Sequence, residues 1–411
     1  MGAIHRADVD YDVIVVGAGP AGAVAARTAA ERSARVLLLE GRREIGRPVQ
    51  CTGLLSVRGV ELSGASPEVI VRGIRGAFVY GPDPDGKRLA LEKDDVHAYV
   101  IDRDRFDLDL VERAVRAGVE VRLKSPAVGL ERSEANRVQT LRVKADGHEV
   151  RLRARVVVGA DGPRSVVART AGLPPPEKTI IGVQATIAYE PPREDYVEVW
   201  LSHAIAPNFF AWAVPAAPGT ARVGLGTDDP KQAKALFDRW VARQFPDCEI
   251  LGFQSGSIPI GPSSRTVTDG VLLVGDAAGQ AKPTSGGGIY TGISCARIAG
   301  EVAAKAALSG DASERTLGEY ERRWREAFEG ELRLGLVAHR IYGRLRDPEI
   351  ARLLEAASDP RIVQVLSEHG DIDYPGRVVR RVMESPALLA KLLQAAPRRM
   401  EIYLPLLQEH L

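Results

Sequence analysis

The sequence predicts an α/β protein with a parallel-sheet domain, an inserted antiparallel sheet and a helical C-terminal region. Three observations lead to this fold class. A short apolar run over Asp12–Val16 ends at a glycine-rich turn and is followed by an alanine-rich helix, which is typical of a buried parallel strand and its crossover. Residues 178–260 contain strand-like runs with alternating polarity. Beyond about residue 300, leucine, isoleucine and valine recur at helical spacing.

The parallel-sheet domain is expected to be discontinuous, because strand-like insertions interrupt its alternation of strands and helices. The expected boundaries are 8–72, 102–175 and 262–305 for the parallel-sheet domain, 73–101 and 176–261 for the antiparallel sheet, and 306–411 for the helical region. The apolar positions of the helical region favour a role in capping the core. A role in completing a substrate tunnel stays open.

Composition limits the kinds of partner. The formal net charge is +1, from 55 basic and 54 acidic side chains, so no nucleic-acid partner is expected. The three cysteines, Cys51, Cys248 and Cys295, are too few and too dispersed for a disulfide scaffold or a metal site. We find no apolar run long enough to cross a membrane and no signal peptide, so we expect a cytoplasmic protein. A peripheral membrane contact stays open.

The turn after the first strand has the pattern of a dinucleotide site. Gly17-Ala18-Gly19-Pro20-Ala21-Gly22 leads into the helix, and a second buried strand, Arg35–Leu39, ends at Glu40. Gly17 permits the tight turn, Gly19 lets a diphosphate approach the backbone, and Gly22 lets helix and strand pack closely. The start of the helix attracts phosphate, and Glu40 can accept hydrogen bonds from ribose hydroxyls. The sequence therefore predicts a Rossmann-like domain that binds FAD or NAD.

A second glycine-rich segment favours FAD. The buried strand Val271–Val274 runs into Gly275-Asp276, and a loop with Pro283 leads to Gly286-Gly287-Gly288 at the start of another helix. An aspartate just past a strand can bind ribityl hydroxyls. The positive end of the helix dipole would favour the negative charge that reduction places near the N1–C2 edge of a flavin.

Three motifs in order resemble the flavoprotein group that includes p-hydroxybenzoate hydroxylase. The first is the glycine turn after Asp12–Val16, the second is Asp161-Gly162 after the strand at Val156, and the third is Gly275-Asp276. The resemblance implies FAD as cofactor and a pyrophosphate contact from Arg105, which precedes a helix. The cofactor-binding residues that we predict are Gly17, Gly19, Pro20, Ala21, Gly22, Glu40, Gly41, Arg42, Gln50, Cys51, Gly53, Arg105, Ala127, Val128, Asp161, Gly162, Gly275, Asp276, Pro283, Gly286, Gly287, Gly288 and Ile289.

Two further segments resemble the geranylgeranyl reductase family. In the loop Gly46–Ser56, Cys51 is followed by glycine and leucine, as in the family loop beside the flavin. The segment Asn208–Pro215 is similar to the family's YxWxFP signature, with Phe210 in the tyrosine position and Val214 in the phenylalanine position. The resemblance implies catalytic roles for Cys51 and Trp212, and substrate contacts from Phe210, Trp212 and Pro215. An ordinary packing role stays open for both Cys51 and Trp212.

The resemblance predicts a reductase of isolated C=C bonds in the prenyl chain of an isoprenoid lipid or diphosphate. Such a bond needs a hydride on one carbon and a proton on the other. The chain offers no polar atoms, so binding depends on buried apolar area, at about 25 cal/mol per Å². Phe210 and Trp212, two residues apart on a strand, would form an aromatic wall on one face. Cys51 would serve as proton donor or redox relay.

Other functions fit the same motifs less well. A flavin monooxygenase that hydroxylates aromatic compounds has the same fold. A flavin-dependent halogenase has a WxWxIP motif that Phe210–Pro215 matches only in part. A fourth hypothesis is a flavoprotein that carries a prenyl lipid without turnover. The electron donor, NAD(P)H or ferredoxin, stays open because no second nicotinamide-binding pattern is found.

Overall fold

The computed structural model describes residues 9–83, 88–132, 138–145 and 147–409. Within these ranges, none of the helices combines the length and the apolar character needed to span a bilayer. The predicted fold class is confirmed, because the chain forms a parallel sheet, a second and largely antiparallel sheet, and a helical C-terminal region.

The parallel sheet has the strand order β18-β11-β1-β2-β8, with a short antiparallel strand, β17, at its edge. Its strands are β1 (Tyr11–Val16), β2 (Val36–Leu39), β8 (Glu120–Arg122), β11 (His148–Gly159), β17 (Val267–Thr268) and β18 (Val271–Leu273). The central strands are buried on both faces, as their uninterrupted apolar runs predict. Two further strands, β9 (Ala127–Arg132) and β10 (Gln139–Ala145), extend β11 as an antiparallel meander.

The larger sheet has the order β16-β12-β15-β14-β13-β5-β6. Its strands are β5 (Gly76–Tyr80), β6 (Leu89–Glu92), β12 (Lys178–Ala188), β13 (Tyr196–Trp200), β14 (Ala211–Pro215), β15 (Thr220–Thr227) and β16 (Ile250–Ile260). All neighbouring pairs are antiparallel except β5 and β13, which are parallel. Helix α5 (Ala233–Gln244) packs on one face around a buried apolar cluster that includes Phe237 and Trp240. On the other face, a Cβ on Gly256 of β16 would lie 3.4 Å from the side chain of Gln50, in the loop after β2.

A small third sheet, absent from our expectation, joins these two. It consists of β3 (Leu54–Ser56), β4 (Ile70–Ile74) and β7 (Ala98–Ile101). The segment 73–101 is therefore shared, because β5 and β6 belong to the larger sheet and β7 to the small one.

Helices cover the parallel sheet and form the C-terminal region. They are α1 (Pro20–Ala30), α2 (Val57–Ser63), α3 (Arg103–Arg116), α4 (Val166–Thr170), α6 (Ile289–Ser309), α7 (Glu314–Tyr342), α8 (Asp347–Ala357), α9 (Pro360–His369), α10 (Gly376–Met383), α11 (Pro386–Ala395) and α12 (Leu404–Glu409). Helices α1 and α6 touch closely, since a Cβ on Gly300 would lie 2.5 Å from the carbonyl oxygen of Ala25. The main core lies between these helices and the sheet.

Candidate active site

A cleft of ≈ 520 Å³ opens where the carboxyl ends of β1, β2, β11 and β18 meet β16 and the start of α6. It brings together most of the cofactor residues that the sequence predicts. Those in its lining are Gly17, Gly19, Pro20, Ala21, Glu40, Gly41, Arg42, Gln50, Cys51, Ala127, Asp161, Gly162, Gly275, Asp276, Gly286, Gly288 and Ile289. Predicted cofactor residues outside the lining are Gly22, Gly53, Arg105, Val128, Pro283 and Gly287.

The turn Gly17–Gly22, which we call the phosphate end, is shaped by close backbone contacts. Gly17 has a φ of +100°, and a Cβ on it would lie 2.3 Å from the carbonyl oxygen of Ala160. A Cβ on Gly22 would lie 1.8 Å from the carbonyl oxygen of Gly17, so Gly22 serves packing from outside the cleft. A Cβ on Gly19 would have no atom within 4 Å. No side chain caps the start of α1, so its amides are free to bind an anion.

Acidic side chains stand at the ends of three strands beside this turn. Glu40 accepts hydrogen bonds from the amides of Ala18 (3.0 Å) and Arg42 (2.9 Å), which fixes its carboxylate at the end of β2. Asp161 lines the cleft but accepts from the amide of Val166 (2.7 Å), so its carboxylate caps α4. Burial raises the pKa of Asp276 to about 6, against the opposing charge of Arg103. A carboxyl at this position can donate or accept a hydrogen bond.

The arginine prediction needs a correction. The Arg105 side chain is 70% exposed, pairs with Asp102 and does not line the cleft. Arg103, one helical turn from Asp107, lines it instead and forms two 2.8 Å hydrogen bonds to that carboxylate. Burial opposes the charge of Arg103, but Asp107 and Cys51 raise its pKa above the usual value. Both arginines lie in the first turn of α3, which turns only Arg103 toward the cleft, a distinction that helical phase could have suggested.

The opposite end of the cleft, which we call the ring end, comprises Cys51, Ile258, Gly286, Gly288 and Ile289. Helix α6 begins here with Gly288 as its N-cap and without a capping side chain, so its amides are free to bind. A buried ion pair between Lys282 and Asp373 (2.8 Å) anchors the loop before this helix. Gly287 accepts, through its carbonyl, a hydrogen bond from the Lys282 amide (3.1 Å).

The anchor is shared with the C-terminal region. Arg58 pairs with Asp373 (3.3 Å) and with Asp371 (3.2 Å), just after α9. Pro283 lies outside the cleft because it packs on α7, where a Cβ on Gly335 would come within 3.1 Å of its ring. The helical region thus fixes the loop that forms the ring end.

Cys51 lies at the ring end beside two cations. Its thiol accepts a hydrogen bond from the amide of Gly53 (3.3 Å). Gly53 itself lies behind the lining, where a Cβ on it would come within 2.6 Å of the carbonyl oxygen of Ile101. The thiol also lies close to Arg103, whose pKa it helps to raise, and to Arg222, whose pKa burial lowers. Arg222 donates to the carbonyl of Thr52 (2.6 Å) and so holds the Cys51 loop. Sequence reasoning missed Arg222 because it lies on a distant strand.

The aromatic segment adjoins the cleft without lining it. Phe210 and Trp212 form an edge-to-face pair with centroids 5.8 Å apart, as the wall hypothesis requires. Trp212 Nε1 donates to Gln184 Oε1 (3.1 Å), and Gln184 Nε2 donates to the Cys51 carbonyl (3.4 Å). Pro215 is buried at the far end of β14, opposite Ala221, so the predicted substrate contact from Pro215 is not supported.

A row of glycines forms the floor beneath these side chains. Gly256, Gly182 and Gly226 are in register on β16, β12 and β15. Aromatic rings pack directly over glycines of this sheet. A Cβ on Gly226 would come within 2.3 Å of Phe209, and one on Gly224 within 2.5 Å of Trp212. Glycine inside a strand marks close approach of another group, and this signal could have located the floor from the sequence.

The residues present fit FAD. Free amides at the phosphate end suit a diphosphate, Glu40 and Asp276 suit hydroxyl groups, and the uncapped start of α6 suits the electron-rich edge of a flavin ring at the other end. A family model described as "FAD binding domain" matches residues 10–331. Fold, site and this match define a flavin-dependent oxidoreductase, and the prediction of FAD is confirmed.

Comparison with known proteins narrows the class. The chain is 37% identical over 357 residues to a digeranylgeranylglycerophospholipid reductase of Methanothrix thermoacetophila, covering 84% of this chain and 90% of the relative. It is 29% identical, with a TM-score of 0.82, to a geranylgeranyl bacteriochlorophyll reductase-like protein of Thermoplasma acidophilum, covering 94% and 99% of the two chains. The protein belongs to the geranylgeranyl reductase family of FAD-dependent oxidoreductases, which confirms the resemblance found in the sequence.

A more distant structure shows the fold alone. The p-nitrophenol 4-monooxygenase of Pseudomonas putida is 18% identical with a TM-score of 0.69, and the match covers 93% of this chain and 98% of that one. The monooxygenase alternative therefore shares the architecture and gains no support at the level of the site.

Proposed function

We propose that the protein is an FAD-dependent reductase of isolated C=C bonds in the prenyl chain of an isoprenoid lipid. The observation that supports it most is the connection from Trp212 through Gln184 to the Cys51 loop, which joins the aromatic segment to the cofactor cleft. The printed name of the Methanothrix thermoacetophila relative, a reductase of a digeranylgeranyl phospholipid, agrees with this chemistry.

The chain's own residues would supply the proton and the orientation. Bound FAD, when reduced, supplies the hydride. The second carbon of the alkene needs a proton, and Cys51 is the thiol in the cleft lining. After donation, Arg103 and Arg222 would stabilise the thiolate that remains, because both lie close enough to feel its charge. The proton would return from solvent before the next turnover.

Apolar packing would hold the alkene. Trp212 connects two clusters, one with Val100, Val197 and Val214 and the other with Phe209 and Ile260. A prenyl chain against these surfaces would gain about 25 cal/mol per Å² of buried area. Phe210 and Val214, where the family signature has tyrosine and phenylalanine, carry no hydroxyl group and keep this surface apolar.

The electron donor and the cellular location are part of the proposal. We propose NAD(P)H or ferredoxin as donor, and work in the cytoplasm at a membrane surface where a lipid substrate would reside. Exposed apolar side chains on the edge strand β16, Ile250, Leu251 and Phe253, support a peripheral contact. Flotation with lipid vesicles tests the membrane contact, and stopped-flow reduction of bound FAD by each candidate donor tests the identity of the electron donor.

Anaerobic turnover tests the proposed function. The FAD-loaded protein, reduced with dithionite, is incubated with a digeranylgeranyl lipid, and the mass of the product is measured by mass spectrometry. We expect a gain of two hydrogen atoms per double bond reduced. A lipid of unchanged mass, together with rapid NAD(P)H oxidation in air when a phenol is added, would favour the monooxygenase instead.

A further inference from the structure

A second pocket, of ≈ 280 Å³, lies between the start of β12 and the end of α7. Its floor is apolar, formed by Ile260, which is fully buried, and Leu336, which is 8% exposed. Its rim carries the exposed cationic side chains of Lys178, Arg340 and Arg344. An apolar floor under a basic rim suits an amphiphile with an anionic head.

The rim has more positive than negative charge. Lys178 pairs with Asp228 (2.7 Å), and Arg340 pairs with Glu177. Within the described ranges, no carboxylate pairs with Arg344, whose guanidinium lies over the ring of Tyr403. One cation is therefore left uncompensated, and the paired cations keep further N–H groups free to donate.

A neutral donor completes the rim. Burial and the charge of Lys178 lower the pKa of His339 to about 4, so its ring is uncharged at pH 7. A neutral imidazole presents one N–H donor and one acceptor. Guanidinium groups bind phosphate oxygens in pairs of hydrogen bonds, which makes phosphate a better match to this rim than a single carbonyl or hydroxyl group.

The pocket and the cofactor cleft share one apolar partition. Ile260 and Leu336 belong to a cluster with Phe209, and Ile258 packs against the same cluster while lining the cleft. A Cβ on Gly286, at the ring end, would lie 2.9 Å from Ile258 and 3.5 Å from Phe209. The pocket therefore stands on the outer side of the layer whose inner side faces the ring end.

We propose that this pocket binds the phosphate head of the prenyl lipid, with Arg344, Arg340 and Lys178 as its ligands. The inference rests on the proposed function for the identity of the lipid. The start of the prenyl chain would then lie on the apolar floor formed by Ile260 and Leu336.

Binding without turnover tests the pocket. The oxidised, FAD-loaded protein is titrated calorimetrically with digeranylgeranylglyceryl phosphate and with the matching alcohol, digeranylgeranylglycerol, in the same detergent. We expect the phosphate to bind at least about tenfold more tightly, since the alcohol cannot form charge-assisted hydrogen bonds with the cationic rim. In Arg344→Gln and in Arg340→Gln, the phosphate should bind about tenfold more weakly and the alcohol as before.

The matched control is Arg243→Gln on α5, which removes one exposed positive charge far from the pocket in sequence. Circular dichroism establishes that each variant is folded, and Lys178→Gln replaces any variant that is not. Equal affinity for phosphate and alcohol, or variants that bind the phosphate like wild type, would overturn the proposal. Inorganic phosphate that competes as strongly as the lipid would indicate a free-anion site and overturn it as well.

The two proposals fail separately. If the protein prefers the phosphate through Arg344 but never adds hydrogen to the chain, the proposed pocket stands and the proposed reductase activity is wrong. If the protein reduces the alcohol and the phosphate lipid with equal KM, the proposed reductase activity stands and the proposed pocket is wrong.

Discussion

The phosphate end of the cleft is built from a single stretch of chain, β1 through Glu40, whereas the ring end is assembled from segments more than three hundred residues apart, Cys51 to Asp373. The first depends on backbone shape and on glycines that admit no side chain. The second depends on side-chain bonds, such as those of Arg222, Gln184 and Lys282. Backbone geometry follows local sequence, but long-range side-chain contacts require the finished fold.

The largest expected effect is at the phosphate end. In Gly22→Ala, the new methyl group would meet the carbonyl oxygen of Gly17 at 1.8 Å. Because the obstructing atoms belong to the backbone of Gly17 and cannot rotate away, we expect a loss of about 3 kcal/mol in the free energy of unfolding. Urea titration of the apoprotein measures this loss, and flavin absorbance after dialysis should show that FAD is no longer retained.

Gly318→Ala is the control, because a Cβ there would have no atom within 4 Å. That substitution lies inside α7 and should raise stability by about 0.5–1 kcal/mol. A Gly22→Ala protein as stable and as yellow as wild type would show that the turn has more room than the backbone contacts allow.

The ring end should respond in rate rather than in stability. Cys51→Ala is expected to reduce turnover about a hundredfold or more, in the range of general acid catalysis, while FAD stays bound. Single-turnover reoxidation of the reduced flavin by substrate measures the step. Cys248→Ser, at a half-buried cysteine outside the cleft, should behave as wild type. A Cys51→Ala enzyme with full activity would show that Cys51 only packs beside the cofactor.

Asp276 lies between the two ends and links binding to pH. Burial raises its pKa from 3.8 to about 6, so the folded apoprotein holds a proton that the unfolded chain releases. Stability due to this group is present below pH 3.8 and is lost as the pH rises through 6. Asp276→Asn removes the charge, so the apoprotein should gain about 3 kcal/mol at pH 8 and almost nothing below pH 3.8.

The same variant should bind FAD more weakly, since an amide replaces one of the two carboxylate oxygens that can accept from hydroxyl groups. Thermal unfolding across pH, with and without FAD, measures both effects. An Asp276→Asn apoprotein with the pH profile of wild type would contradict the assignment.

The smallest expected effect separates two neighbouring arginines. Arg103→Lys keeps a charge beside Asp107 but loses the paired hydrogen bonds, so FAD affinity should fall about tenfold. Arg105→Lys, at an exposed position, should change affinity by less than about twofold. Fluorescence titration of the apoprotein with FAD compares them, and the reverse order would restore the sequence-based assignment of Arg105.

These contrasts show what the sequence could predict. Gly17, Gly19, Gly22 and Glu40 could be assigned because the turn, the helix and the second strand are consecutive, and their spacing carries the geometry. Arg103 could not be separated from Arg105 without the helical phase of α3. Gln184 and Arg222 lie on strands whose register with the Cys51 loop only the tertiary structure reveals.

The ion pair between Lys282 and Asp373 bears on how the molecule can be divided. The FAD-binding match ends at residue 331, yet the carboxylates that hold the ring-end loop lie forty residues later. A fragment cut at that boundary would carry every glycine of the nucleotide turn and an unanchored lysine. Swapping C-terminal segments between relatives would therefore alter the reaction centre itself, even though none of the exchanged residues that the structure describes lines the cleft.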